Sequence, residues 1–452
     1  MKQQDPSSEP LLRISRSPAL RGRVSVPGDK SISHRALLFG ALADGPVEIS
    51  GLGLGGDNAS TMAALCALGV PIQHTGTDAR VDGVGLAGLQ EASGALDCGN
   101  SGTTMRLLCG LLAGRPFVST MTGDRSLSRR PMARVATPLR RMGAIIDGRQ
   151  DVIRPGDVFP PITVRGGTLQ GIDYELPVAS AQIKGALILA GLQARGRTVI
   201  SEPGLSRDHS ERMLRFLGAP VSAEPEQRRV VVDPSGWNGR LRAAAVSVPG
   251  DLSSAAFLLV AALIVPESEV TVENVGLNPT RTGVLDALIA MGADLEIKVT
   301  GQVMGEPVGS VRARWTARGL RGITVAGELA LRSIDEIPAL AVAAAMASGT
   351  SEFCDLPELR VKESDRIACI ARELGRAGVT VSETPDGFSI VGTSGQACKG
   401  GRVQPEGDHR IAMAGAILGL VAVEASEVPS QDIATSFPSF AQLLQVLGAP
   451  VS

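Results

Sequence analysis

A short signature, an apolar residue followed by glycine and then Ala or Val, returns six times along the chain. It reads Leu68-Gly69-Val70, Met142-Gly143-Ala144, Leu217-Gly218-Ala219, Met291-Gly292-Ala293, Ala377-Gly378-Val379 and Leu447-Gly448-Ala449. The glycines lie 74, 75, 74, 86 and 70 residues apart. One such tripeptide is common; six at a near-constant period require a fold of repeated units. Each glycine follows a helical pattern, as in TMAALCALG and VLDALIAMG, where it fits a left-handed C-cap. A strand-like segment such as APVSA or ADLEIKV comes next. Earlier in each unit lies a more apolar helix: RALLFGALADG, MRLLCGLLAG, KGALILAGLQARG, AAFLLVAALIVP, PALAVAAAMASG and RIAMAGAILGLVA. A strand such as VEIS, TVIS or VTVEN separates the two helices. The unit therefore reads β-α-β-α-β over about 75 residues.

The first helix of each unit is apolar nearly all round and is expected to be buried, its Leu, Ala and Val forming core. The loops before these helices differ in character: PGDKSISHR, CGNSGTTMR, VASAQIKG, PGDLSSAAF, SIDEIP and EGDHRIAM. Helix N-termini carry unpaired N–H groups and the positive end of the helix dipole, so six of them converging would trap anions. Pro-Gly-Asp occurs at 27–29 and 249–251, each time before a first helix. These points read as chain crossings between two three-unit domains. One is expected over 28–248. The other joins 1–27, with an N-terminal strand in 11–26, to 249–452, and the active site is expected in the cleft between them. The fold class is thus α/β, two domains of three pseudo-symmetric βαβαβ-type units.

Composition narrows the functions. A chain of 452 residues is too long for one core. A net charge of −2 provides no general attraction for polyanions, and 3% aromatics provide no stacking surface, so nucleic acid is excluded as a partner. An anionic ligand must then be held by local cations. Six cysteines without a C-x-x-C pair point away from a zinc or redox motif and from a disulfide scaffold. The N-terminal MKQQDPSSEP has no apolar signal core, and the apolar run Ile411–Val423 is too short to span a bilayer. A cytoplasmic enzyme with no membrane partner is expected. Gly51, Gly53 and Gly56 fit the dinucleotide pattern G-x-G-x-x-G. The equivalent loops SEPGLSRDHS and ENVGLNPTRTG lack those glycines, so this loop reads as one copy of a repeated connection. His34, His74, His209 and His409 have no metal-ligand spacing, and no metal is expected.

The charged loops carry a resemblance. PGDKSISHRALLFGALADG at 27–45 and GNSGTTMRLL at 99–108 are similar to two signatures of the 5-enolpyruvylshikimate-3-phosphate synthases. The likeness continues through SLSRRPM, ASAQIK, PGDLSSAAF, RSIDEIP, LRVKESDR, GDHRIAM and TSFP, over roughly residues 20–448. It implies two domains with helices inside and sheets outside (an inside-out α/β barrel-like form) that close over the substrates. It also implies a monomer, and transfer of the enolpyruvyl group of phosphoenolpyruvate to the 5-hydroxyl of shikimate 3-phosphate without metal or organic cofactor.

By the same resemblance, Lys30 touches both substrates and is catalytic together with Asp335 and Glu363, and Asp335 also contacts shikimate 3-phosphate. Ser31, Arg35, Ser180, Ala181, Gln182, Arg207 and Lys362 hold shikimate 3-phosphate. Asn100, Gly102, Arg130, Arg366 and Arg410 hold phosphoenolpyruvate, with Gln182 between the ligands. Asp335 is the expected base for the 5-hydroxyl, and Glu363 the expected acid and base at C3. Bland readings stand beside these. Ser31, Ser180 and Asp335 suit ordinary helix caps, Arg106 suits a structural place one turn into its helix, and Arg129 and Arg207 suit solvated surface charges. Cations at a helix N-terminus oppose the dipole, which favours a functional reading of Lys30 and Arg35. Glu363 must give and take a proton among cations that favour its charged form.

The chain departs from the resemblance at two places: Thr435 stands where a lysine is common, and Glu358 where an asparagine is common. Gly102 implies sensitivity to glyphosate, which binds the family's phosphoenolpyruvate site; Leu107 and Thr435 moderate that expectation. Alternatives are UDP-N-acetylglucosamine enolpyruvyl transferase, a non-catalytic repeat scaffold and a dinucleotide oxidoreductase. The first is disfavoured by Lys30-Ser31 and by a 123–131 loop without cysteine. The scaffold does not need five charged loops, and the third rests on the glycine pattern set aside above.

Overall fold

The computed structural model describes residues 10–151 and 155–452; most of the N-terminal MKQQDPSSEP lies outside them. The described chain folds into two compact units. One comprises Gly28–Val248 with Gln302–Glu306. The other comprises the residues before Gly28 with Pro249–Gly301 and Pro307–Ser452.

In the Gly28–Val248 unit, the three first helices are Lys30–Ala41, Gly102–Leu112 and Ala181–Gly191. They bury nearly every side chain after the first turn. Two of them cross at Gly110, where a Cβ would stand 2.1 Å from the Ala186 carbonyl. Only glycine permits that approach. Each repeat carries a four-stranded sheet. In the second repeat the order is Leu96–Asp97, Val118–Thr122, Val158–Arg165, Ile145–Gln150, with the first pair parallel and the others antiparallel. The third repeat follows the same plan with Asp173–Glu175, Thr198–Ser201, Arg229–Val232 and Val221–Glu224. The first repeat takes its parallel edge strand, Val246–Ser247, from the far end of the unit.

The other unit repeats this plan around the helices Leu252–Ile264, Ile337–Met346 and His409–Gly419, of which the first two bury all their residues, except that the sixth repeat has a three-stranded sheet in the order Leu11–Ile14, Ser426–Pro429, Gly401–Arg402. Two differences from the sequence reading emerge. The segment after each glycine is generally a hairpin rather than a single strand, so the unit is β-α-β-α-β-β; Asp294–Val303 with Glu306–Arg314 is an example, turned at Met304 and Gly305 with positive φ. Residues 11–26 also form two strands, not one. Leu11–Ile14 pairs with Ser426–Pro429 in the sixth repeat, and Arg21–Ser25 with Glu269–Gly276 in the fourth. Between them lies Pro18, which lacks the N–H that a continuous strand would use.

All six signature glycines are left-handed, with φ of +87° at Gly69 and Gly218, +88° at Gly292 and Gly378, +99° at Gly448 and +110° at Gly143. The residue after each donates to the leucine carbonyl five positions back, as Val70 N does to Leu65 O at 3.1 Å. That bond closes the helix end in a Schellman arrangement.

The glycines of the dinucleotide-like loop have a packing reason. A Cβ on Gly28 would lie 1.8 Å from the Gly51 carbonyl, one on Gly51 2.7 Å from the Val248 carbonyl, and one on Gly53 2.7 Å from the Gly28 carbonyl. Three backbone segments cross there, leaving no room for side chains. Gly56 has nothing within 4 Å. Gly28→Ala should therefore lose at least about 3 kcal/mol of stability, whereas Gly56→Ala should stay within about 1 kcal/mol of wild type. Urea titration of both variants is the check, and equal midpoints would remove the crowding argument.

Candidate active site

The Gly28–Val248 unit gathers one array at its helix N-termini. The cap of the first helix is Asp29, which accepts from Ile32 N at 2.8 Å; Ser31 is not the cap. The cations are not solvated. Lys30 Nζ lies 3.0 Å from Asp57 Oδ2, with both side chains mostly buried. Arg35 is buried, donating to Ser210 Oγ at 2.8 Å, to the Ser31 carbonyl at 2.9 Å and to the Ala181 carbonyl at 3.5 Å. Burial pulls its pKa down to about 10 against the opposing pull of Glu211 and Asp29, so it stays charged at neutral pH. Arg207 is near enough to add to that lowering.

Asn100 Nδ2 donates to Asp124 at 2.7 Å, and its Oδ1 accepts from Arg130 Nη2 at 2.6 Å. Arg130 is half-buried while Arg129 is exposed. Gly102 opens its helix, and a Cβ there would stand 2.7 Å from Arg106 Nη1 and 3.4 Å from Arg130 Nη1. Gln182 Oε1 accepts from Arg106 Nη1 at 2.8 Å, and Gln182 Nε2 donates to Thr103 Oγ1 at 2.8 Å. Ser180 does serve as a cap, accepting from Ile183 N at 3.4 Å.

The second array belongs to the other unit. Arg366 begins the helix Arg366–Arg376 and is fully buried. It donates to Asp408 through Nε at 2.8 Å and Nη2 at 3.3 Å, to Glu363 Oε2 at 2.6 Å and to Asp335 Oδ1 at 3.4 Å. Burial alone would lower its pKa, but Asp408, Glu363 and Asp335 outweigh that and raise it. Lys362 Nζ is 3.4 Å from Asp335 Oδ1, and Arg410 Nη1 donates to the Asp335 backbone carbonyl at 2.9 Å. Asp335 is not the helix cap; that position falls to Glu336. Glu336 turns away from Asp335 to Ser253 and to Arg281, 3.4 Å distant.

The expected site residues thus fall into two groups: Lys30, Ser31, Arg35, Asn100, Gly102, Arg130, Ser180, Ala181, Gln182 and Arg207 in one unit, Asp335, Lys362, Glu363, Arg366 and Arg410 in the other. Sequence reasoning missed Asp57 and Asp408, the carboxylates that hold Lys30 and Arg366, and Asp124, which holds the Asn100 amide that meets Arg130. Asp408 had a local signal, the Asp before the helical HRIAM, where it caps by accepting from Arg410 N at 2.9 Å. Asp57 lies 27 residues from Lys30 and had none. Among the described residues, no cluster of three or more His, Cys, Asp or Glu could hold a metal ion, and no helix is long and apolar enough to cross a membrane.

Each array sets fixed cations beside helix N-termini, an arrangement suited to holding small anions. Residues 14–444 match the family model "EPSP synthase (3-phosphoshikimate 1-carboxyvinyltransferase)". The chain is 52% identical over 449 residues to the 3-phosphoshikimate 1-carboxyvinyltransferase of Synechococcus sp. strain JA-3-3Ab, covering 99% of this chain and 98% of that protein. It is 52% identical to the enzyme of that name from Alkalilimnicola ehrlichii, covering 94% and 93%. Among solved structures, EPSP synthase from Acinetobacter baumannii superposes with a TM-score of 0.85 at 40% identity, covering 98% of this chain and 99% of that one. The enolpyruvyl transferase NikO from Streptomyces tendae shares the fold, with a TM-score of 0.75 at 18% identity over 98% of both chains. This protein belongs to the EPSP synthase family.

Two predictions concern the buried charges. Asp408→Asn should cost about 3–5 kcal/mol, because Arg366 stays buried without its main counter-charge. Asp365→Asn, at the neighbouring and more exposed cap, should cost about 1 kcal/mol or less by the same urea titration. His34 is fully buried, and burial lowers its pKa to about 3 despite the opposing charge of Asp57. The folded protein therefore leaves His34 neutral at pH values where the unfolded chain, with an ordinary value of 6.5, takes up a proton. Stability should fall as pH drops from 6.5 towards 3, with this group contributing up to about 1.4 kcal/mol per unit. Denaturant midpoints of His34→Gln should be correspondingly less acid-sensitive than those of wild type.

Proposed function

We propose that the protein transfers the enolpyruvyl group of phosphoenolpyruvate to the 5-hydroxyl of shikimate 3-phosphate and releases phosphate, acting as a monomer in the shikimate pathway of aromatic amino-acid biosynthesis. One observation carries the reading: a chain of this family places two carboxylates, Asp335 and Glu363, on one buried arginine, Arg366, with Lys362 and Arg410 beside them.

The chemistry divides between the two arrays. Each substrate carries a phosphate and a carboxylate, so binding calls for several fixed cations. Lys30 serves both substrates. Ser31, Arg35, Ser180, Ala181, Gln182, Arg207 and Lys362 bind shikimate 3-phosphate; Asn100, Gly102, Arg130, Gln182, Arg366 and Arg410 bind phosphoenolpyruvate. Asp335 takes the proton from the 5-hydroxyl as its oxygen adds to C2 of phosphoenolpyruvate. Glu363 gives a proton to C3. The tetrahedral adduct then loses phosphate from C2 while Glu363 takes a C3 proton back, which leaves the enol ether. These steps move protons and rearrange bonds of the substrates themselves, so they require no cofactor. Asp335 Oδ1 lies 3.4 Å from both Lys362 Nζ and Arg366 Nη1, so two cations face the carboxylate that is to take the proton.

The test is phosphate release from phosphoenolpyruvate, with shikimate 3-phosphate as acceptor and UDP-N-acetylglucosamine as control. Release should occur with the first acceptor alone and drop about 10²–10⁴-fold in Asp335→Ala and Glu363→Gln. Absence of release from folded wild type, or release with the control, would overturn the reading.

A further inference from the structure

Arg106 is not among the residues assigned to a substrate, yet it joins three segments of the Gly28–Val248 unit. It projects from the helix Gly102–Leu112 and donates through Nη1 to Gln182 Oε1 at 2.8 Å. Through Nη2 it donates to the carbonyl of Pro131, the residue after Arg130, at 3.3 Å. Gln182 closes the circuit by donating to Thr103 Oγ1 at 2.8 Å.

A guanidinium has only donors. With Arg106 on one side, the Gln182 amide has one acceptable orientation: oxygen to Arg106, nitrogen to Thr103. The flipped amide would set N–H against N–H. One amide hydrogen goes to Thr103, and the second is left for an anionic oxygen of a ligand. Gly102 belongs to the same device, since a Cβ there would stand 2.7 Å from Arg106 Nη1. The missing side chain is the space the guanidinium occupies.

We infer that Arg106 is a positioning residue for phosphoenolpyruvate: anchored on the Pro131 carbonyl, it locks the Gln182 amide with its second N–H towards the substrate. This rests on the enolpyruvyl-transfer reading. Lysine cannot replace it, because one ammonium group does not span two acceptors with the geometry of a planar fork.

Steady-state kinetics with each substrate varied test the role. Arg106→Lys should raise the KM for phosphoenolpyruvate about tenfold, and leave the KM for shikimate 3-phosphate and kcat within about threefold. In a Gln182→Ala background the same change should add less than about threefold, because the amide it positions is gone. Arg106→Gln, which both donates and accepts and so no longer selects an orientation, should show the same coupling and serves if the lysine variant does not fold. Equal increases in both backgrounds would overturn the role. So would losses spread over both KM values and kcat with a lowered melting temperature, which mark a structural part only. An unchanged phosphoenolpyruvate KM in Arg106→Lys, with normal wild-type turnover, sinks the positioning role alone. A wild type that releases no phosphate sinks the transfer reading and this role with it.

Discussion

A helix buried on every side can offer only its ends to anything else. Each repeat is organised around such a helix, and Leu252–Ile264 and Ile337–Met346 are the extreme cases, with every residue buried. Apolar side faces hold the unit together through hydrophobic burial. Chemistry is left to the N-terminal loops, where the first N–H groups lack partners within the helix. Several of these ends are closed by a side chain: Asp29, Ser101, Ser180, Asp251 and Asp408 each accept a backbone N–H. The sheets then cover the outward faces, and in five of the six repeats the glycine at the end of the second helix turns the chain into a hairpin.

That arrangement creates an electrostatic problem which the structure resolves with carboxylates. Lys30, Arg366 and Arg410 sit in the first turn of helices, where the dipole repels cations. Arg366 is buried as well. Its charge persists because Asp408, Glu363 and Asp335 surround it, as Asp57 does Lys30 on the other unit. A buried cation held by anions is costly to disturb, and it is fixed before any substrate arrives. Asp408 links the two roles, since it caps its own helix and neutralises Arg366 from another.

Glycines are used for closeness as much as for turns. The run at Gly51 and Gly53 looks like a nucleotide-binding loop in isolation. In the folded chain it is where the backbone leaving Pro27 passes under the connection after Pro46–Ser50 and beside Val248. The same local composition serves a phosphate or another peptide chain equally well, because both need bare backbone. Only the neighbours distinguish them.

What the sequence by itself determined is local or periodic. Six left-handed glycines, the apolar first helices and the polar loops before them depend on residues within a turn or two of one another, so spacing and residue type suffice. The loop residues Lys30, Gly102, Gln182, Asp335 and Glu363 were singled out from sequence because they stand in long ordered motifs that resemble those of a family. The hairpin after each glycine and the two N-terminal strands were less legible, since short strands take their state from partners far along the chain. Tertiary structure alone decided which anion meets which cation and which amide meets which guanidinium. Arg366 finds Asp408 across 42 residues, and Arg106 finds Gln182 across 76. Such pairs arise only when separate helices bring their ends together, and no local propensity encodes the distance between two ends.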